Sequence, residues 1–141
     1  MNVYLLSPYH KKGEMLLHAH YLIEMGYSVV SSWIYSADPE YDESYYKRQD
    51  RADRRVKDIN NADVLIVFSD TDDKQLGPMS PSEHFDVGYA YSRRTPIVLI
   101  GMQEHEFSDF PTIVHIKQWA DVIDLLKELN SFMESEVQSN G

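Results

Sequence analysis

Asp63–Phe68 (DVLIVF) is a run of strand length in which, after its first residue, no polar position alternates with the apolar ones. A strand can be apolar on both faces only where both faces are covered, so this segment predicts a parallel sheet between two layers of helices. Two comparable runs are Asn2–Ser7 (NVYLLS), ended by Pro8, and Thr95–Gly101 (TPIVLIG), where Pro96 is tolerable only near the start. Tyr27–Trp33 (YSVVSSW) and Thr112–Ile116 (TIVHI) read as two further strands.

The intervening segments carry helical periodicity. Leu16, Ala19 and Ile23 recur at helical spacing across Lys12–Met25, and Gly26 follows as a carboxyl cap. Tyr45–Ile59 is a charged amphipathic segment with Ala52, Val56 and Ile59 on one face. Ser80, Pro81 and Glu83 form an N-cap, first-turn proline and capping box for a third helix. Trp119, Val122, Leu125, Leu126 and Leu129 mark a last helix over Trp119–Met133. YSADPEYDES and Ser69–Met79 are polar loops.

Strands separated by helices imply right-handed crossovers and a five-stranded parallel sheet of order 2-1-3-4-5, a three-layer flavodoxin-like (Rossmann-like) α/β fold. The expected organisation is one domain over residues 1–133 and a flexible tail over 134–141, within the size of an ordinary domain for a chain of 141 residues.

Composition narrows the function classes. There is no cysteine, which excludes disulfides, thiolate metal sites and a cysteine nucleophile. A net charge of −10 disfavours binding to duplex nucleic acid, while leaving room for an anionic small molecule in a locally basic pocket. No stretch reads as a signal peptide or membrane span, and cytoplasm is the expected location. The six histidines lack HExxH spacing, and the aspartates at 70, 72 and 73 have no spacing that selects a metal, so neither metal nor cofactor is expected.

In a sheet of this order, ligands sit beyond the carboxyl ends of strands one and three, which selects the loops Ser7–Gly13 and Ser69–Ser82. In the first loop, main-chain N–H groups at the helix start, with Lys11 and Lys12, can bind a phosphate; equally, these are exposed polar residues of a turn. Tyr9 can stack on a base or simply cover the sheet edge. The third helix carries Ser80, Ser82, Glu83, His84 and Asp86 in its first two turns, with its amino end toward the crevice. The helix dipole there favours an ionised carboxylate, which makes Asp86 a candidate nucleophile. Glu83 is a second catalytic candidate, although the capping box already accounts for it. Gly88 suits a close approach of the helix to its neighbour. His18 and His20 are expected to face solvent.

The ordered set VYLLSPY, GYSVVSSW, NNADVLIVFSD and SEHFDVGYAYSRRTPIVLIG, followed by FSDFPTIVHIKQWADVIDLL, resembles the nucleoside 2-deoxyribosyltransferase-like family, which includes deoxynucleoside 5′-monophosphate N-glycosidases. The resemblance covers nearly the whole chain. It implies cleavage of an N-glycosidic bond, by hydrolysis or deoxyribosyl transfer, through a carboxylate that attacks the anomeric carbon, with Asp86 at the nucleophile's position. It implies that Ser80, Ser82 and the Ser7–Lys12 loop hold phosphate or sugar, that Tyr9 or Trp33 contacts the base, and that the chain forms a homodimer or larger homo-oligomer. Two positions depart from the family pattern. Glutamate is usual where this chain has Asp86, one methylene shorter, and an aspartate is frequent where it has Arg55, leaving Asp53 and Asp58 as the nearest carboxylates. A binder that keeps the pocket without the reaction, sensing or sequestering a nucleotide-derived ligand, is the alternative. A phospho-receiver domain with Asp70 after strand three is a third, but Ser7-Pro8-Tyr9 stands where such a domain needs an acidic pair.

Overall fold

A computed structural model describes residues 1–37, 43–68, 81–101, 113–116 and 118–140. Its strands are β1 (Asn2–Leu6), β2 (Ser28–Val29), β3 (Val64–Phe68), β4 (Ile97–Ile100) and β5 (Ile113–Ile116), all parallel and in the order β2-β1-β3-β4-β5 expected from the sequence. The helices are α1 (Lys12–Glu24), α2 (Tyr45–Asn60), α3 (Pro81–Ser92) and α4 (Trp119–Asn140), with short 3-10 turns at Tyr9–Lys11 and Ser32–Tyr35. Val3–Leu6 and Val64–Val67 are buried throughout, as strands covered on both faces must be, and each such side chain contributes roughly 2 kcal/mol through burial. Helices α2 and α3 pack on one another, while α1 and α4 meet through the ring contact of His18 with Trp119. Among the described residues, no helix is long and apolar enough to cross a membrane.

Several local expectations are corrected. The second strand ends at Val29 rather than Trp33, because side chains replace its backbone. Ser31 Oγ accepts the Leu5 N–H at 3.0 Å and Trp33 Nε1 donates to the Leu5 carbonyl at 2.8 Å, so the groups a longer β2 would pair are already satisfied. Helix α1 buries Met15, Ala19 and Leu22, turning Leu16 and Ile23 outward. Both stripes are apolar, and periodicity alone could not choose between them. His18 is half-buried, stacked on Phe68 and tilted against Trp119, and burial pulls its imidazole below its ordinary pKa. His20 is exposed, as expected, and lies 3.0 Å from Glu24.

The last helix continues to Asn140, through most of the segment assigned to a tail, since no proline or glycine interrupts it before Gly141. Helix α1 ends in a full Schellman motif: Gly26, at φ 95°, donates to Ile23, and Tyr27 donates to Leu22. Helix α3 ends in the same way, with Arg94 at φ 61°, Arg94 N–H to Tyr91 and Thr95 N–H to Ala90.

Candidate functional site

The sheet order reverses between β1 and β3, and the polar groups of the site gather at the carboxyl end of that junction. Asp86 projects from the second turn of α3 and is 0% exposed. Its Oδ2 accepts the Tyr4 hydroxyl at 3.0 Å and the Arg55 Nε–H at 2.6 Å, joining β1, α2 and α3 at one oxygen. Among the described residues, its Oδ1 finds no hydrogen-bond partner. Arg55, whose side chain is 12% exposed, also donates from Nη1 to the Tyr9 hydroxyl at 3.1 Å, with its guanidinium 5.9 Å from that ring's centre.

Burial dominates the titration of this cluster. It pushes Asp86 up from 3.8 to about 6, with Glu83 adding to the rise while Arg55 and Tyr4 oppose it. The ionised form expected from the helix dipole is therefore less favoured than the sequence implies. Tyr4 is raised well above its ordinary value, first by desolvation and then by the Asp86 charge. Burial acts against the Arg55 cation, but the neighbouring Tyr4, Asp86 and Tyr9 more than offset it and hold Arg55 charged.

Two cavities lie in front of this cluster. An open groove of about 480 Å³, within the range of small-molecule sites, is lined by Tyr9, Arg48, Arg51, Arg55, Ser82 and Phe85, with Glu43 at its side. A narrower cavity of about 20 Å³, room for roughly one water, lies between Tyr4, Tyr9, Trp33, Arg54, Arg55 and Asp58. Arg51 donates to Glu43 Oε2 and to the Ala37 carbonyl, both at 3.0 Å, and Arg48 donates to the Glu43 carbonyl at 3.2 Å. Asp58 accepts the N–H and hydroxyl of Ser32 at 3.0 and 2.6 Å, fixing the turn that carries Trp33. The Trp33 ring meets Tyr9 edge to face at 5.6 Å.

Of the residues singled out in the sequence, Tyr9, Trp33 and Ser82 line these cavities. Asp86 lines neither: it lies behind Arg55, so a carboxylate aimed directly into the hollow is corrected to one covered by a guanidinium. Lys11 and Lys12 are half-buried and outside both linings, with Lys12 Nζ donating to the Ser36 carbonyl; the cations of the cleft come from α2 instead. Ser7 is buried, its hydroxyl donating to the Pro8 carbonyl at 3.0 Å, and His84 is exposed outside the linings. Asp53 is also exposed and outside, because its position on α2 turns it away from the Arg51 and Arg55 face. Glu83 is buried at 4% exposure one turn before Val87. Ser80 and the aspartates at 70, 72 and 73 lie outside the described residues. Gly88 is exposed, and a Cβ there would meet nothing within 4 Å, so no close approach requires it.

Arg48, Arg51, Arg54, Tyr4 and Asp58 were not selected as site residues from sequence. The available signal was the spacing of Arg48, Arg51 and Arg55, which places three guanidinium groups on one helical face in a chain of net charge −10. Among the described residues, no group of three or more His, Asp or Glu is placed to hold a metal ion.

No protein-family model matches the sequence, and no curated protein matches it. Solved structures do. The chain is similar to a 2-deoxyribosyltransferase from Bacillus psychrosaccharolyticus, with TM-score 0.65 and 16% identity over 86% of this chain and 90% of that one. It is similar to the CMP N-glycosidase BcmB of Clostridium botulinum, with TM-score 0.54 and 19% identity over 82% and 88%. A prokaryotic SEFIR domain also matches, with TM-score 0.55 and 17% identity over 91% and 94%. The resemblance read from the sequence is thus met in the fold, and a fold shared by differently named proteins does not by itself select an activity.

Proposed function

We propose that the chain binds a nucleoside or nucleoside 5′-monophosphate in the groove beside Tyr9 and cleaves its N-glycosidic bond, by hydrolysis or by transfer of the deoxyribosyl group. The observation that carries this reading is a groove of ligand size, lined by arginines and aromatic rings, whose wall includes Arg55, the ion-pair partner of Asp86. Arginine guanidinium groups suit phosphate, and exposed rings such as Phe85 suit a base. The names of two structural neighbours, a 2-deoxyribosyltransferase and a CMP N-glycosidase, support the same chemistry.

In this mechanism an oxygen of Asp86 forms a bond to the anomeric carbon as the bond from that carbon to the base nitrogen breaks. The bonding pair leaves with the base, which takes up a proton. Water, giving up a proton, or the nitrogen of a second base then attacks the same carbon and releases the aspartate, with net retention. Oδ2 accepts the Tyr4 hydroxyl, which leaves Oδ1 as the attacking atom. The protein is taken to act in the cytoplasm as a homodimer or larger homo-oligomer, and a sedimentation mass of a single 16.4 kDa chain would remove the second part.

One observation favours the non-catalytic alternative: Asp86 is inaccessible and already paired. Chromatographic detection of free base from a panel of nucleosides and monophosphates separates the two readings. We expect product from the wild type and a loss of about a thousandfold or more in Asp86→Ala, in the range seen when a nucleophile is removed. Saturable binding without product would leave the sensor or sequestering role, and activity surviving the substitution would remove Asp86 from the mechanism.

A further inference from the structure

Arg55 stands between the groove and Asp86. It lines both cavities whereas Asp86 lines neither, so a ligand entering from the groove meets the guanidinium before the carboxylate. The ion pair is end-on: one donor, Nε, reaches one oxygen, Oδ2, while Nη1 is turned to the Tyr9 hydroxyl at the groove wall. A phosphate offers more acceptor oxygens and a geometry that takes two guanidinium donors at once, so it can compete for this arginine where a neutral sugar and base cannot. Arg51 and Arg48 line the same groove and would hold the anion beside it.

Displacing Arg55 has a chemical consequence. Positive charge develops at the anomeric carbon as the glycosidic bond breaks, and a guanidinium 2.6 Å from Asp86 Oδ2 would repel it. With Arg55 drawn away, that developing charge becomes the counter-ion of the buried carboxylate. We propose that Arg55 is an anion-operated latch: in the unliganded protein it covers and neutralises Asp86, and a ligand phosphate uncovers the carboxylate by taking the guanidinium for itself. Arg55 is thereby a positioning and specificity residue, and it restricts turnover to phosphorylated nucleosides. The specificity part rests on the glycosidase reading; the displacement of Arg55 does not.

The experiment uses the full chain labelled with nitrogen-15 and follows the Arg55 Nε–H resonance, assigned by its disappearance in Arg55→Lys. The probes are the four 2′-deoxynucleoside 5′-monophosphates and the four 2′-deoxynucleosides. At saturation, at least one monophosphate is expected to shift this resonance or broaden it away, and the deoxynucleosides to leave it in place. An unmoved resonance at saturating monophosphate, displacement by the neutral deoxynucleosides as well, or failure of every monophosphate to bind would each overturn the latch. A displaced resonance without product keeps the latch and removes the glycosidase reading; product with an unmoved resonance does the reverse. Where turnover is present, the wild type should favour monophosphate over deoxynucleoside by about tenfold or more in kcat/KM, and Arg55→Gln should collapse that ratio. An equal loss on both substrates, as for a merely structural arginine, would overturn the specificity role.

Discussion

Asp86 sets a pH dependence whose direction follows from burial. Its carboxyl titrates near 6 in the folded chain against 3.8 for the ordinary group. Between those values the folded state keeps a proton that the unfolded state has released, so the contribution of Asp86 to stability falls as pH rises from about 4 to about 6. Two units at 1.36 kcal/mol each make that fall roughly 3 kcal/mol. Urea unfolding of wild type and Asp86→Asn at pH 4.5 and 7.5 tests the sign, since asparagine has nothing to ionise. We expect the variant to gain on the wild type by roughly 2 kcal/mol between the two pH values, since about a third of the fall lies below pH 4.5. A change against the variant would mean that Arg55 outweighs desolvation. The burial of a carboxylate at this junction could be approached from sequence, because Asp86 lies in the first turns of a helix that follows strand three in the chain. Its partners could not: Tyr4 and Arg55 lie 82 and 31 positions away, and only the packing of β1, α2 and α3 brings them to one oxygen.

Helix endings separate what local sequence can say from what it cannot. Gly26 announced the end of α1 because a residue at φ 95° costs an L side chain about 1–2 kcal/mol. Helix α3 closes through the same hydrogen bonds with Arg94 in that conformation, and no glycine marked it. The two sites should therefore respond in opposite directions. Gly26→Ala is expected to lower unfolding stability by about 1–2 kcal/mol, and Arg94→Gly to raise it by about 1 kcal/mol, measured by denaturant titration. Equal effects of one sign would contradict the shared geometry. The buried strands were legible because a continuous apolar run has few other homes. The end of the second strand was not, since its place beside Leu5 is taken by a serine hydroxyl and an indole, a substitution invisible in a run of β-forming residues. Nor was the buried face of α1, whose two candidate stripes are equally apolar.

Across the whole molecule, charge is unevenly spread: the chain carries −10, yet Arg48, Arg51, Arg54 and Arg55 crowd one cleft. A ligand that binds only the folded state raises its stability by about 2.7 kcal/mol at a hundredfold its Kd. For a domain of this size that corresponds to roughly 10 °C in Tm. A 2′-deoxynucleoside 5′-monophosphate at that concentration should produce such a shift, and Arg48→Glu at the same ligand concentration should remove most of it. An undiminished shift would place the anion elsewhere. The order of strands could be read from the sequence because right-handed crossovers leave few arrangements, whereas the composition of the cleft depends on which faces of α2 and α3 meet. On its β2 side the sheet stops after two residue pairs, Asn2 with Ser28 and Val3 with Val29. So short a border gives a stray strand from another molecule almost nothing to zip onto, and the chain is protected from edge-to-edge aggregation there without a proline or a charge inside the strand.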